Sequence, residues 1–228
     1  MDYMKIIENN LKTIVVVFVA FVVGGAAVAF VANNNKSKEK QAQESYYLVE
    51  KSFYELKAKK ETPPNPTAKV EPVDFTKSKQ DFEKIISTYP KSIAAQMSAL
   101  NLASILIDEN KSTEALNVLK NVETKSSSMV SYLVQQQIGL LLADQDKCQE
   151  AIDTWEKVIK SSEASFLHAE LQLQQALCYS KLNNSQKAEA ILMNLSNQSA
   201  NPEMGDATTA KEAEKYLRLL QFKKASGT

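Results

Sequence analysis

Three residues stand out as able to do chemistry: the single histidine, His168, and the two cysteines, Cys148 and Cys178. An imidazole can serve as a base or a metal ligand. A metal site needs several ligands, however, and a catalytic triad needs a nucleophile and an orienting carboxylate. Neither surrounds His168, which reads as an ordinary surface or rim residue at the start of a helix. The chain is therefore not expected to be an enzyme, and no catalytic residue, metal site, cofactor or small-molecule substrate is expected. Cys148 and Cys178 lack CxxC spacing. They fall on helices that should pack antiparallel, which would permit a disulfide in an oxidising compartment. The alternative is two small buried thiols. Asn-x-Ser sequons occur at Asn35, Asn110, Asn183, Asn194 and Asn197. That motif is frequent by chance, and no function is assigned to it.

Charge narrows the partner class. Lys plus Arg equals Asp plus Glu, at 27 each, so the formal net charge is zero. No basic cluster with interleaved aromatics is present to release counterions from a nucleic acid, so no nucleic-acid partner is expected.

The elements that position these residues are helical. Glycine is scarce, at 5 of 228 residues, and long tracts of Ala, Leu, Lys, Glu and Gln are good helix formers. Three blocks repeat: ALNLASILIDENKSTEALNVLKNV, QQQIGLLLADQDKCQEAIDTWEKV and LQQALCYSKLNNSQKAEAILMNL. A small residue recurs at Ala103, Gly139 and Ala176, a large apolar one at Leu106, Leu142 and Tyr179, and a turn-tolerant one at Asn110, Asp146 and Asn183. Ala115, Ala151 and Ala188 follow, then Leu119, Trp155 and Leu192. This pattern resembles the tetratricopeptide repeat, a helix–turn–helix of about 34 residues. Small residues would allow close helix approach, and Asn or Asp would take the left-handed turn position usually held by Gly.

The expected fold class is all-α, an N-terminal transmembrane helix followed by a tetratricopeptide-like α-solenoid. Thr13 to Ala32 reads TIVVVFVAFVVGGAAVAFVA, without a charge. As a helix it would span about 30 Å, the thickness of a bilayer's hydrocarbon core. The expected organisation is a tail over 1–12, a membrane span over 13–32, a polar linker over 33–44 and a helical domain over 45–224. Within that domain a Pro-rich loop is placed at 61–73, repeats at about 93–124, 129–161 and 165–198, and a capping helix at 207–222. The span is read as an uncleaved anchor, and residues 225–228 are expected to fray.

In tetratricopeptide folds the first helix of each repeat lines the concave surface. By register, Met97, Leu100, Ser104, Ile107 and Asp108 take those positions in the first block. Leu133, Gln136, Leu140, Ala143 and Asp144 take them in the second, and Glu170, Leu173, Leu177, Ser180 and Lys181 in the third. The Lys, Arg and Asn clamp for a peptide carboxylate is missing. The remaining surface is mostly aliphatic, suited to extended apolar segments or a docked helix. The alternative is that the terminal helices, 45–59 and 207–222, fold over these positions.

A closer resemblance lies in the order of parts. A short amphiphilic tail, IIENNLKT, runs into the anchor; a Tyr-rich helix, SYYLVEKSFYELKA, follows; then come a loop and DFEKIISTYPKSIAAQMSALNLASILIDENKSTEALNVLKNV. Over about residues 5–198 this resembles the ancillary SecYEG translocon subunit family of YfgM type. The resemblance implies a bacterial inner-membrane, single-pass protein with a periplasmic helical domain. It would be an accessory subunit or chaperone of the Sec translocon, handling newly translocated client proteins. Two other functions fit the parts, a cell-envelope assembly scaffold and a cytoplasm-facing adaptor of opposite topology.

Overall fold

The computed structural model describes the backbone of residues 3–61, 73–122, 124, 128–198 and 207–226; within α1, side chains are described for residues 21, 24–25 and 29–59. Nine α-helices occur among the described residues: α1 (Tyr3–Glu61), α2 (Thr76–Thr88), α3 (Ile93–Asp108), α4 (Ser112–Asn121), α5 (Met129–Asp144), α6 (Cys148–Ile159), α7 (Ser165–Lys181), α8 (Ser185–Gln198) and α9 (Ala207–Ser226). A 3₁₀ turn, Ser162–Ala164, leads into α7. Most of the Pro-rich loop lies outside the described residues.

Three helical hairpins, α3–α4, α5–α6 and α7–α8, turn in the same way. Asn110, Asp146 and Asn183 have φ of 61°, 58° and 59°. In the first turn the Lys111 amide donates to the Leu106 carbonyl at 2.8 Å and the Asn110 amide donates to the Ile107 carbonyl at 2.9 Å. Lys147 to Leu142 (2.9 Å) and Asn184 to Tyr179 (2.8 Å) repeat the longer bond. This paired bonding satisfies helix-end carbonyls and requires one left-handed residue, which Asn and Asp adopt more readily than other side chains.

Packing follows from the small and large positions. Ala103, Ala176, Ala115, Ala151 and Ala188 are fully buried, as are Leu119 and Trp155. At Gly139 a Cβ would run into the Trp155 indole. The glycine is what lets α5 and α6 approach, and the indole N–H donates to the Gln136 carbonyl at 3.2 Å. Cys148 and Cys178 form a disulfide across the α6–α7 interface, with Cα atoms 5.1 Å apart.

The helix contacts define curvature. Among the described residues α1, α3, α5, α7 and α9 each touch the next in the series, whereas α2, α4, α6 and α8 do not touch one another. The first set therefore lines the tighter, concave side and the second set splays over the convex side. α1 and α2 form a further pair at one end, packed by Phe53 and Phe82 with ring centroids 5.6 Å apart and by Phe53 and Phe75 at 5.7 Å. α9 closes the other end, with Ala213, Leu217 and Leu220 against Leu173, Leu192 and Leu195.

Two expectations need correction. Residues 33–44 are not a separate linker, because α1 runs unbroken from Tyr3 to Glu61. Neither Gly nor Pro interrupts 33–61, and Lys, Glu, Gln and Ala propagate a helix. Ala42, inside that stretch, is already fully buried. The last helix also runs further than placed, to Ser226, so residues 225 and 226 are helical.

Among the described residues no helix is long and apolar enough to cross a membrane. Most side chains of the uncharged segment 13–32 lie outside the described residues.

Candidate protein-binding groove

The concave surface is built from the open faces of α3, α5 and α7. Each of these helices is anchored by its buried face: Leu102, Ala103 and Leu106 in α3, Ile138, Leu141 and Leu142 in α5, and Leu171, Ala176 and Cys178 in α7. Their starts are fixed by side chains. The Ser92 hydroxyl accepts from the Ala95 amide at 3.0 Å, and the Ser128 hydroxyl accepts from the Ser131 amide at 3.1 Å. Both are N-caps that satisfy otherwise orphaned donors.

With one face held, the opposite flank is set by register. Met97, Leu100 and Ile107 on α3, and Leu133, Leu140 and Ala143 on α5, are half-buried and rest on the core at one edge. Gln136 on α5 and Leu177 on α7 are half-buried as well. Asp108, Asp144, Glu170 and Lys181 are exposed on the same three helices. Lys181 is drawn to the α5–α6 turn, donating to Asp146 Oδ1 at 3.2 Å and to the Ala143 carbonyl at 3.4 Å. The result is a half-buried aliphatic strip with a mostly acidic rim.

Leu173 differs from its expected place. It is only 3 % exposed and packs with Ala213, Leu217 and Leu220, so it is core beneath α9 rather than groove lining. Leu177 lines a small cleft at the same junction with Tyr216, Leu219 and Leu220. The terminal helices flank the groove rather than closing it. Among the described residues α1 touches only α2 and α3, and α9 touches only α7 and α8. The strip on α5 therefore stays uncovered by either end.

Polar side chains that sequence reasoning missed hold the concave wall rigid. Asn101 donates to the Tyr46 hydroxyl at 2.9 Å, and that hydroxyl donates to Glu50 at 2.6 Å. Burial, together with the Glu50 carboxylate, pushes the Tyr46 phenol well above its ordinary value of 10.0. Ser131 donates to the fully buried Gln96 at 3.1 Å, tying α5 to α3. Gln175 donates to the Ile152 carbonyl at 3.3 Å, tying α7 to α6. His168 bonds the Ser161 carbonyl at 2.9 Å, which orients it at the α6–α7 junction. Among the described residues no group of His, Cys, Asp and Glu could hold a metal ion.

Comparison with known proteins places this architecture. A family described as a tetratricopeptide repeat-like domain matches residues 65–184, just over half of the 228 residues. The chain belongs to that family. The match spans α2 to α7 and so contains all three groove helices, α3, α5 and α7. Among solved structures the chain is similar to a Podospora anserina protein described as a kinesin light chain with nearly identical tetratricopeptide-like repeats. That match has 14% identity, covers 83% of this chain and 98% of the other, and has a TM-score of 0.48. No curated protein matches the chain. The fold is that of a protein-interaction scaffold.

Proposed function

We propose that this protein is a membrane-anchored scaffold that binds apolar segments of other proteins along the concave face of α3, α5 and α7. The observation that carries this reading is the uncovered aliphatic strip on α5, centred on Leu133 and Leu140, between terminal helices that reach only their own neighbours. Apolar surface left half-exposed on a rigid frame favours a partner that removes it from water, at about 25 cal/mol per Å². Anchoring is supported by the 20 uncharged residues of 13–32 and by the helical backbone that runs through them. An accessory role at the Sec translocon, with a periplasmic domain in a bacterial inner membrane, is supported by the order of tail, span, Tyr-rich helix and repeats. It is also supported by the Cys148–Cys178 pairing, which suits an oxidising compartment.

The test is a charge placed in the strip. Leu140→Lys combined with Leu177→Lys is expected to abolish crosslinking to newly translocated chains while helicity, read by circular dichroism, stays intact. Undiminished crosslinking by the folded double variant would exclude the groove. Protease treatment of spheroplasts separates the topologies. Digestion of residues 33–228 before lysis supports the periplasmic reading, and protection until lysis supports the cytoplasm-facing adaptor instead.

A further inference from the structure

We infer that a second, separate site sits where α1 leaves the membrane: a cleft that takes the phosphate headgroup of an anionic glycerophospholipid. This rests on the anchor reading proposed above and extends it to a specific lipid contact. The cleft has a volume of about 340 Å³ and is walled by Asn35, Lys38 and Glu39 of α1 and by Thr88, Tyr89, Pro90, Lys91 and Ser92 of the α2–α3 turn.

Depth is the first argument. The uncharged stretch ends at Ala32, and α1 continues through it without a break. At 1.5 Å per residue, positions 35–39 stand roughly 4–11 Å beyond that end. The headgroup layer on each side of the hydrocarbon core is about 5–8 Å thick. A helix that spans with 13–32 therefore places Asn35 inside that layer and Lys38 just past its outer edge, from where a lysine's four-carbon stem reaches back to a phosphate.

Chemistry is the second. Lys38 and Lys91 are exposed at the cleft. Lysines just past a span attract anionic lipid. Glu39 is the one acid in the wall, and its carboxylate is turned to protein donors, accepting from the Ile93 amide at 3.1 Å and from Gln43 Nε2 at 3.0 Å. The half-buried Tyr89 and the Pro90 ring supply an apolar floor for the glycerol and upper acyl carbons. Tyrosine is enriched at this depth in membrane proteins.

The experiment uses the full chain in nanodiscs of phosphatidylcholine alone or mixed equally with phosphatidylglycerol. Retained lipid is measured after stringent exchange into detergent, and hydrogen exchange is followed at Tyr89, Lys91 and Ser92. Two lysines near a headgroup correspond to about a thirtyfold preference for the anionic lipid. The expected result is phosphatidylglycerol enrichment approaching that value. Slower exchange at those three amides in the anionic discs should accompany it. Both effects should be lost in Lys38→Gln combined with Lys91→Gln, a variant whose surface changes should not affect folding. Equal lipid retention and equal exchange in the two discs, with the protein inserted, would overturn the site while leaving the anchor standing. Protection by inorganic phosphate added to the phosphatidylcholine discs would assign the cleft to a soluble anion and also overturn it. Extraction of the protein from vesicles by alkaline carbonate would sink the anchor and the cleft together.

Discussion

In the α5–α6 unit, two helices joined by the three residues 145–147 meet where Gly139 admits the Trp155 indole, and the disulfide ties α6 onward to α7. In the α1–α2 unit the connection runs through the Pro-rich stretch, and the helices meet over Phe53, Phe75 and Phe82. Both units present a first helix to the concave side and bury a large aromatic between the pair. The central unit does so with one small residue opposite one large one, at positions that recur in the neighbouring repeats. The terminal unit does so with a cluster of rings that no repeat echoes. Repeated small–large pairs propagate a solenoid, since each unit buries its face only on its neighbours. The aromatic cluster ends the series and joins it to the long helix α1, whose backbone runs on through the uncharged segment 13–32.

This difference can be broken from either side. Trp155→Ala is expected to have the largest effect, about 3–5 kcal/mol, because it empties a fully buried site at the centre of the stack. It should lower the single thermal transition of the whole domain. Phe82→Ala removes a comparable volume, but hydrogen exchange should then open α1 and α2 while α5 to α8 stay protected. Joint loss of protection in both regions after Phe82→Ala would show that the units are not separable.

Removing the disulfide comes next. The bridge closes a loop with a sequence separation of 30 residues, so Cys148→Ala with Cys178→Ala should cost about 2–4 kcal/mol in denaturant unfolding. Alkylation should require a reductant even in denaturant; ready alkylation without one would contradict the pairing. A smaller effect of opposite sign is expected at the turns. Asn183→Gly at φ 59° should stabilise by a few tenths of a kcal/mol, and Asn183→Ala should destabilise by about 1 kcal/mol. The smallest effect is electrostatic. Lys111 and then Lys79 hold the Glu109 carboxyl below its ordinary 4.5. A depressed carboxyl contributes stability above pH 4.5 that is lost as pH falls through its folded value. Glu109→Gln should therefore flatten the acid limb of the stability curve slightly.

The central unit was legible in the sequence because its constraints are local and repeated. A left-handed turn admits few residues, so Asn110, Asp146 and Asn183 marked the hairpins, and the small positions followed at a fixed spacing. The end unit was less legible. Polarity over 33–44 read as a linker, yet a polar stretch without Gly or Pro can be helix throughout. Leu173 and Leu177 occupy equivalent faces of one helix, and only the placement of α9 decides that the first is core and the second lines a cleft. The bonds among Tyr46, Glu50 and Asn101 bring together residues 55 positions apart, a pairing that no periodicity encodes.

The central claim is that partners meet the concave strip and not the convex wall. It is tested most directly by incorporating a photoreactive side chain at position 140 on α5 or, as a control, at the exposed position 157 on α6, in the full chain. The account predicts adducts with partner protein from position 140 and none above background from position 157. Equal labelling from both, or labelling from position 157 alone, would contradict it.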